Sequence, residues 1–128
     1  MKIRYVVALS LLTGVAIGGA AIQGLHAQAK PPVYTVNEID VTNEAAFVKE
    51  YLPLVRASIV KSGGKPIAGS YKVISFEGTA PKRVAIQMWD SMEKAQAWHN
   101  SADYKAAREI GNKYAKSFRG YAVEGLSK

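Results

Sequence analysis

The chemistry open to this chain is bounded by its reactive residues. It has no cysteine and only two histidines, His26 and His99. Zinc held within one subunit would have to draw nearly all its ligands from carboxylates, so no metal is expected. His99 and Asp103 stand four apart, the spacing of a hydrogen-bonded pair on one continuous helix. Asn100-Ser101 lies between them and reads as a helix cap, which breaks that relationship. His99 is then an exposed side chain, and Asp103 an acid near a helix N-terminus. The serines have no G-x-S-x-G setting, and Gly63-Gly64 lies in neither a P-loop nor a dinucleotide fingerprint.

The aromatic residues are more telling. Tyr34, Tyr71, Trp89, Trp98, Tyr104 and Tyr121 are many for a small domain, and most belong in a core. A few, together with Glu38, Arg83 and Gln87, could line a pocket on a sheet face, because apolar walls with a few polar groups suit a small molecule. The candidate ligand-binding residues are therefore Glu38, Tyr71, Arg83, Gln87, Trp89, His99 and Tyr104. The same residues would also suit a subunit interface.

These residues need a scaffold, and the N-terminus is not part of it. Lys2 and Arg4 precede an uncharged run from Tyr5 to Ile22, and Ala27-Gln28-Ala29 follows. This order predicts a secretory signal peptide over residues 1–29, cleaved after Ala29, and a periplasmic or secreted protein. The apolar run is short for a membrane span and carries Gly14, Gly18 and Gly19. Without cysteine there is no lipoprotein anchor, and without paired arginines a Sec-type route is favoured over twin-arginine export. Residues 30–128 then form one domain of roughly a hundred residues, free of the membrane. The whole chain carries a formal charge of +7. Its basic residues are scattered, Lys82-Arg83 being the one adjacent pair, so no nucleic-acid stripe is present.

Within the domain, Val33–Val41 has strand composition. Residues 43–62 carry a wide apolar face built on Phe47, Tyr51, Leu54 and Ser58 beside Val48, Leu52, Val55 and Ile59, which predicts a helix kinked at Pro53. Thr42 or Asn43 can cap it, and Ser62-Gly63-Gly64 stops it. An interrupted strand is expected over Lys65–Ala68 and Tyr71–Glu77, broken at Gly69, then a turn at 78–82 and a strand at Arg83–Trp89. In that strand Val84, Ile86 and Met88 are expected to face the helices. Ala85, Gln87 and Trp89 would form a second, less dry face. A helix from Asp90 to about Asn100, with Glu93 completing a capping-box pair, precedes another from Ala102 to about Ser117. Arg119–Leu126 closes as a strand. The order β-α-β-β-α-β predicts an α+β, ferredoxin-like domain, with a four-stranded antiparallel sheet and helices on one face. The bare face calls for a second copy, so a homodimer is expected.

The stretch Val84–Ala107, VAIQMWDSMEKAQAWHNSADYKAA, resembles the DUF1330 family within the dimeric α/β-barrel superfamily. So do the opening strand and the Lys61-Ser62-Gly63-Gly64-Lys65 helix exit, and the likeness spans residues 33–126. It implies a dimeric barrel and little chemistry, since the family name records an unknown function. Superfamily relatives include antibiotic-biosynthesis-type monooxygenases, haem-degrading enzymes and muconolactone-isomerase-like enzymes. In the haem-degrading group an asparagine, a tryptophan and a histidine make the site. Asn37 and Trp98 could match the first two, but the third position is Arg108. Arginine has no lone pair to give to iron. The N-terminal pattern, the aromatic residues and the resemblance together give the expectation of an exported homodimer that binds a small aromatic or hydrophobic molecule, with no bound metal or redox cofactor. A cofactor-independent oxygenase or isomerase is the alternative.

Overall fold

A computed structural model describes residues 30–127, and the expected signal peptide and its cleavage site lie outside them. All regular elements fall within one unit, Pro32–Leu126. They are β1 (Val33–Val41), α1 (Glu44–Lys61, in three pieces), β2 (Lys65–Ser70), β3 (Arg83–Trp89), α2 (Met92–His99), α3 (Ala102–Gly111) and β4 (Ala115–Glu124). The sheet is antiparallel in the order β2-β3-β1-β4. The fold is therefore the α+β, ferredoxin-like arrangement that the sequence predicts. Among the described residues, no helix is long and apolar enough to cross a membrane.

α1 takes its proline at a junction between helical pieces. Asn43 caps it by accepting from Ala46 N–H, and a π-helical turn, Phe47–Tyr51, precedes the α-helical piece Leu52–Lys61. Pro53 stands in the first turn of that piece, where a missing N–H costs little. The wider turn also resets the helical phase. Phe47, Tyr51, Val55 and Ile59 align and are buried, while Val48 and Leu54 turn outward and are about half exposed. The helix ends as expected. Gly63 takes φ +89°, Gly64 N–H donates to Ile59 C=O, and Gly63 N–H donates to Val60 C=O.

Three expectations are corrected. β2 runs through Gly69 to Ser70, with its register shift between Pro66 and Ala68, and Tyr71–Glu77 is not a strand. Ser70 already pairs with Val84, next to the start of β3, so the chain beyond it has no ladder to join. It makes local turn bonds instead, Ser70 Oγ accepting from Lys72 N–H and Ser75 Oγ donating to Glu77 C=O. The cap of α2 is Ser91, which accepts from Lys94 N–H, whereas Asp90 pairs with the Lys94 ammonium. α3 stops at Gly111, not Ser117, and β4 starts at Ala115 rather than Arg119. The intervening turn is fixed by Tyr114 C=O, which accepts from Thr42 and Asn43 N–H.

The two faces of β3 are the reverse of those expected. Arg83, Gln87 and Trp89 are buried under the helices, while Val84, Ile86 and Met88 lie on the open face. Strand alternation moves all three together, so the face that hides the Trp89 indole must also hide Arg83 and Gln87. The indole is the largest apolar group on the strand, and the helical layer covers it to 1% exposure.

Candidate functional site

Beneath the helices the sheet carries a buried polar chain. Trp89 Nε1 donates to Thr35 Oγ1 at 2.9 Å, and Thr35 Oγ1 donates to Gln87 Oε1 at 2.7 Å. Asn37 Nδ2 donates to the same oxygen at 2.8 Å. The register makes this possible, because Thr35 pairs with Gln87 across β1 and β3 and Asn37 pairs with Ala85. An indole N–H can only donate. Thr35 in turn gives its own proton to Gln87, the Gln87 oxygen accepts, and Asn37 points its NH₂ inward, where it also donates to Ala85 C=O at 3.4 Å. The Asn37 carbonyl oxygen is left facing β4, where Gly120 makes room for it. A Cβ at Gly120 would stand 3.0 Å from Asn37 Oδ1.

A cleft of about 200 Å³ opens between α2 and the β1–β4 edge. Asn37, Trp98, His99, Asn100, Ala95 and Ala122 are among its lining residues. Trp98 is positioned from below: its Nε1 donates to Ser58 Oγ at 3.0 Å, and Ser58 donates on to Val55 C=O. Ser58 therefore belongs in the apolar stripe of α1 because it satisfies this buried indole. Trp98 also packs on Trp89 at 5.2 Å and on Tyr104 at 4.4 Å between ring centroids, and His99 stacks on Tyr104 at 5.0 Å. The cleft is thus largely apolar, with amides and one imidazole at its edge.

The candidate residues separate into distinct places. His99 lines the cleft and Tyr104 supports it from the core. Gln87 and Trp89 lie behind it, holding Asn37. Arg83 and Tyr71 lie further along the same side, with the guanidinium 4.9 Å from the Tyr71 ring centre. Tyr71 is off the sheet, and burial raises its phenol pKa. Glu38 is not with Gln87 and Arg83, because it occupies the open face. There its carboxylate accepts from Arg119 at 2.6 Å and Tyr121 at 2.8 Å, and the Tyr121 bond first of all lowers its pKa. Asn37, Trp98 and Asn100 join the cleft that the candidate set had given to sheet-face residues. Asn37 and Trp98 were singled out in the sequence by their match to the haem-degrading relatives, not as members of the candidate set.

His99 and Asp103 do not pair. Ser101 caps α3 between them by accepting from Tyr104 N–H, and Asp103 bonds Lys61 at 2.9 Å. Arg108, where the haem-degrading relatives carry their histidine, stacks at 3.7 Å over Phe118 and donates to Asn112 and Tyr104. Its charge serves packing there, and it has no lone pair for iron, so these residues do not fit a histidine-ligated haem. Among the described residues, no group of three His, Cys, Asp or Glu side chains could hold a metal ion.

A search of curated proteins finds no match to this chain. Solved structures do match. A protein of unknown function from Rhodopseudomonas palustris aligns at 14% identity and TM-score 0.55, over 77% of this chain and 85% of that one. A proposed antibiotic biosynthesis monooxygenase from Caulobacter crescentus aligns at 13% identity and TM-score 0.58, over 77% and 93%. SnoaB from Streptomyces nogalater, a cofactor-independent oxygenase, aligns at 11% identity and TM-score 0.57, over 77% and 96%. At such identities the likeness is one of fold, the ferredoxin-like fold of the antibiotic-biosynthesis-monooxygenase type. The family model for a domain of unknown function, DUF1330, matches residues 32–126, so the chain belongs to the DUF1330 family.

Proposed function

We propose that this protein is exported and binds a small, flat aromatic molecule bearing a hydroxyl group in the cleft between α2 and β4. The observation that carries this reading is the Asn37 carbonyl. It is fixed in orientation by the buried chain from Trp89, and it stands in a cleft walled by Trp98 and alanines. An acceptor held in place on an apolar wall selects a ligand that donates one hydrogen bond and is otherwise greasy. Calorimetric titration of the purified protein with 2-naphthol tests this. Saturable binding is expected, lost in Ala122→Trp, which fills the cleft from an exposed edge strand. Undiminished binding by that variant would move the ligand elsewhere.

Export rests on the Lys2–Ala29 pattern, and the mature chain should begin at Lys30. An intact mass that retains residues 1–29 would rule it out. Homodimerisation rests on the open face, where Val36, Val84, Ile86 and Met88 share one surface. Beside it the segment after β2 holds out Ile74 and Phe76, which are 81% and 94% exposed. A surface of this kind suits a second copy of the chain.

A second reading, a cofactor-independent oxygenase, is favoured by Asn37 and Trp98 lining one cleft in a fold shared with SnoaB. His99 is the one histidine at that cleft. Oxygen uptake with 1,4-dihydroxynaphthalene, abolished by Asn37→Ala, would favour this enzyme. Binding without uptake favours the carrier.

A further inference from the structure

On the other side of Gln87 a groove of about 240 Å³ runs between α1 and β2, and Arg83 lies at its floor. Arg83 is 5% exposed, and its Nε–H is wholly shielded from water with no hydrogen-bond partner. Among the described residues no carboxylate comes within ion-pair distance of it. Glu44, the acid whose field reaches Tyr71 beside it, makes no such pair either. Tyr71 faces it, with the ring centre 4.9 Å from the guanidinium carbon, and the positive charge acts on the Tyr71 hydroxyl as well. A buried guanidinium with no counter-charge is expensive to keep, and an arginine pairs best with a planar, two-oxygen anion.

β2 makes room for the head of that arginine, and the groove beside it stays open. Gly69 faces Arg83, and a Cβ there would stand 2.9 Å from Arg83 Nη2. The groove walls are the apolar side chains of Leu52, Val55, Ile59 and Pro66, and exposed Arg56 adds a second cation. We infer that this groove is an anion site that takes a small carboxylic acid, its carboxylate on Arg83 and its apolar body along α1. A phosphate would have no hydrophobic body to match those walls. The site is separate from the cleft at Asn37 and does not depend on what binds there.

The Nε–H resonance of Arg83 in the ¹⁵N-labelled protein reads the site directly. Benzoate should move that resonance saturably, and benzyl alcohol should leave it in place. Gly69→Ala meets only the flexible end of Arg83, so it should fold normally and weaken benzoate about tenfold. Arg83→Met should melt no lower than the parent and lose the rise in melting temperature that benzoate gives. No movement with benzoate up to about 10 mM would overturn the inference, since a trapped water would then be the only partner of Nε. An equal response to benzyl alcohol, a response confined to inorganic phosphate, or unchanged benzoate affinity in Gly69→Ala would also overturn it.

Discussion

The indole N–H of Trp89 and the amide of Asn37 belong to one buried hydrogen-bond chain, although the two side chains do not bond each other. Trp89 donates to Thr35, Thr35 to Gln87, and Asn37 to the same Gln87 oxygen. Reversing Asn37 would set two carbonyl oxygens against each other beneath the helices, with no water to separate them. A residue that fills the core thus shares one polar network with a cleft residue on the neighbouring strand.

Thr35 carries that relay, so its hydroxyl should matter more than its shape. Thr35→Val keeps the volume but leaves the Trp89 N–H buried and unpaired, and is expected to cost about 1–3 kcal/mol in urea denaturation. Thr35→Ser keeps the hydroxyl and should lose only about 0.8 kcal/mol, the worth of one buried methyl-sized group. Equal losses for the two variants would argue against a polar relay.

Two adjacent glycines should fail for different reasons. Gly63 adopts a left-handed φ, and an alanine there meets nothing, so Gly63→Ala should cost about 1–2 kcal/mol from the backbone alone. Gly64 has no such φ, but a Cβ would come within 2.6 Å of the Trp89 ring. Gly64→Ala should cost about 1–3 kcal/mol and also alter the near-ultraviolet circular dichroism of the tryptophans. A silent Gly64→Ala spectrum would show that the Trp89 ring is not held against Gly64.

Acid should weaken the protein partly through Glu38. The Tyr121 and Arg119 bonds lower its folded-state pKa, so its stabilisation is fully present above the unfolded value of about 4.3. That stabilisation is lost as the pH falls through the lower folded value. Urea midpoints measured from about pH 6 to about pH 3 should fall less steeply in Tyr121→Phe, where the first bond is absent. Parallel curves would remove Glu38 from this role.

The open sheet face should set the oligomeric state. Ile86→Glu places a charge among Val36, Val84 and Met88 without touching the helix side. Sedimentation should give a dimer for the parent and a monomer for the variant. A monomeric parent at micromolar concentration contradicts the proposed pairing.

How much of this was legible in the sequence follows from which interactions are local. Strand composition, the Asn43 and Ser101 caps and the Gly63-Gly64 exit are near-neighbour signals, and they placed the elements and the topology. The faces of β3 were not legible from the strand itself. Val84, Ile86 and Met88 form the cleaner apolar set, yet Trp89 outweighs them, and Gln87 becomes tolerable inside only because β1 supplies Thr35 and Asn37. That compensation lies about fifty residues away, beyond the reach of periodicity. The end of β2 was lost for a similar reason. Tyr71–Glu77 has strand composition, but the ladder it would need has run out at Val84. The site residues divided accordingly. His99 lines the cleft, and Glu38 lies on the open face where it was expected, but Gln87 and Arg83, expected beside Glu38, lie under the helices.

The most direct test is whether the cleft distinguishes a hydrogen-bond donor from its methyl ether. Calorimetric titrations of 2-naphthol and 2-methoxynaphthalene into the parent and into Asn37→Ala read this without assuming a reaction. With the Asn37 carbonyl held toward the cleft, the parent should prefer the naphthol by about 1 kcal/mol, roughly fivefold, and Asn37→Ala should bind the two alike. Equal affinities in the parent, or a preference that survives in Asn37→Ala, would contradict the orientation in which Gln87 and Ala85 hold the Asn37 amide.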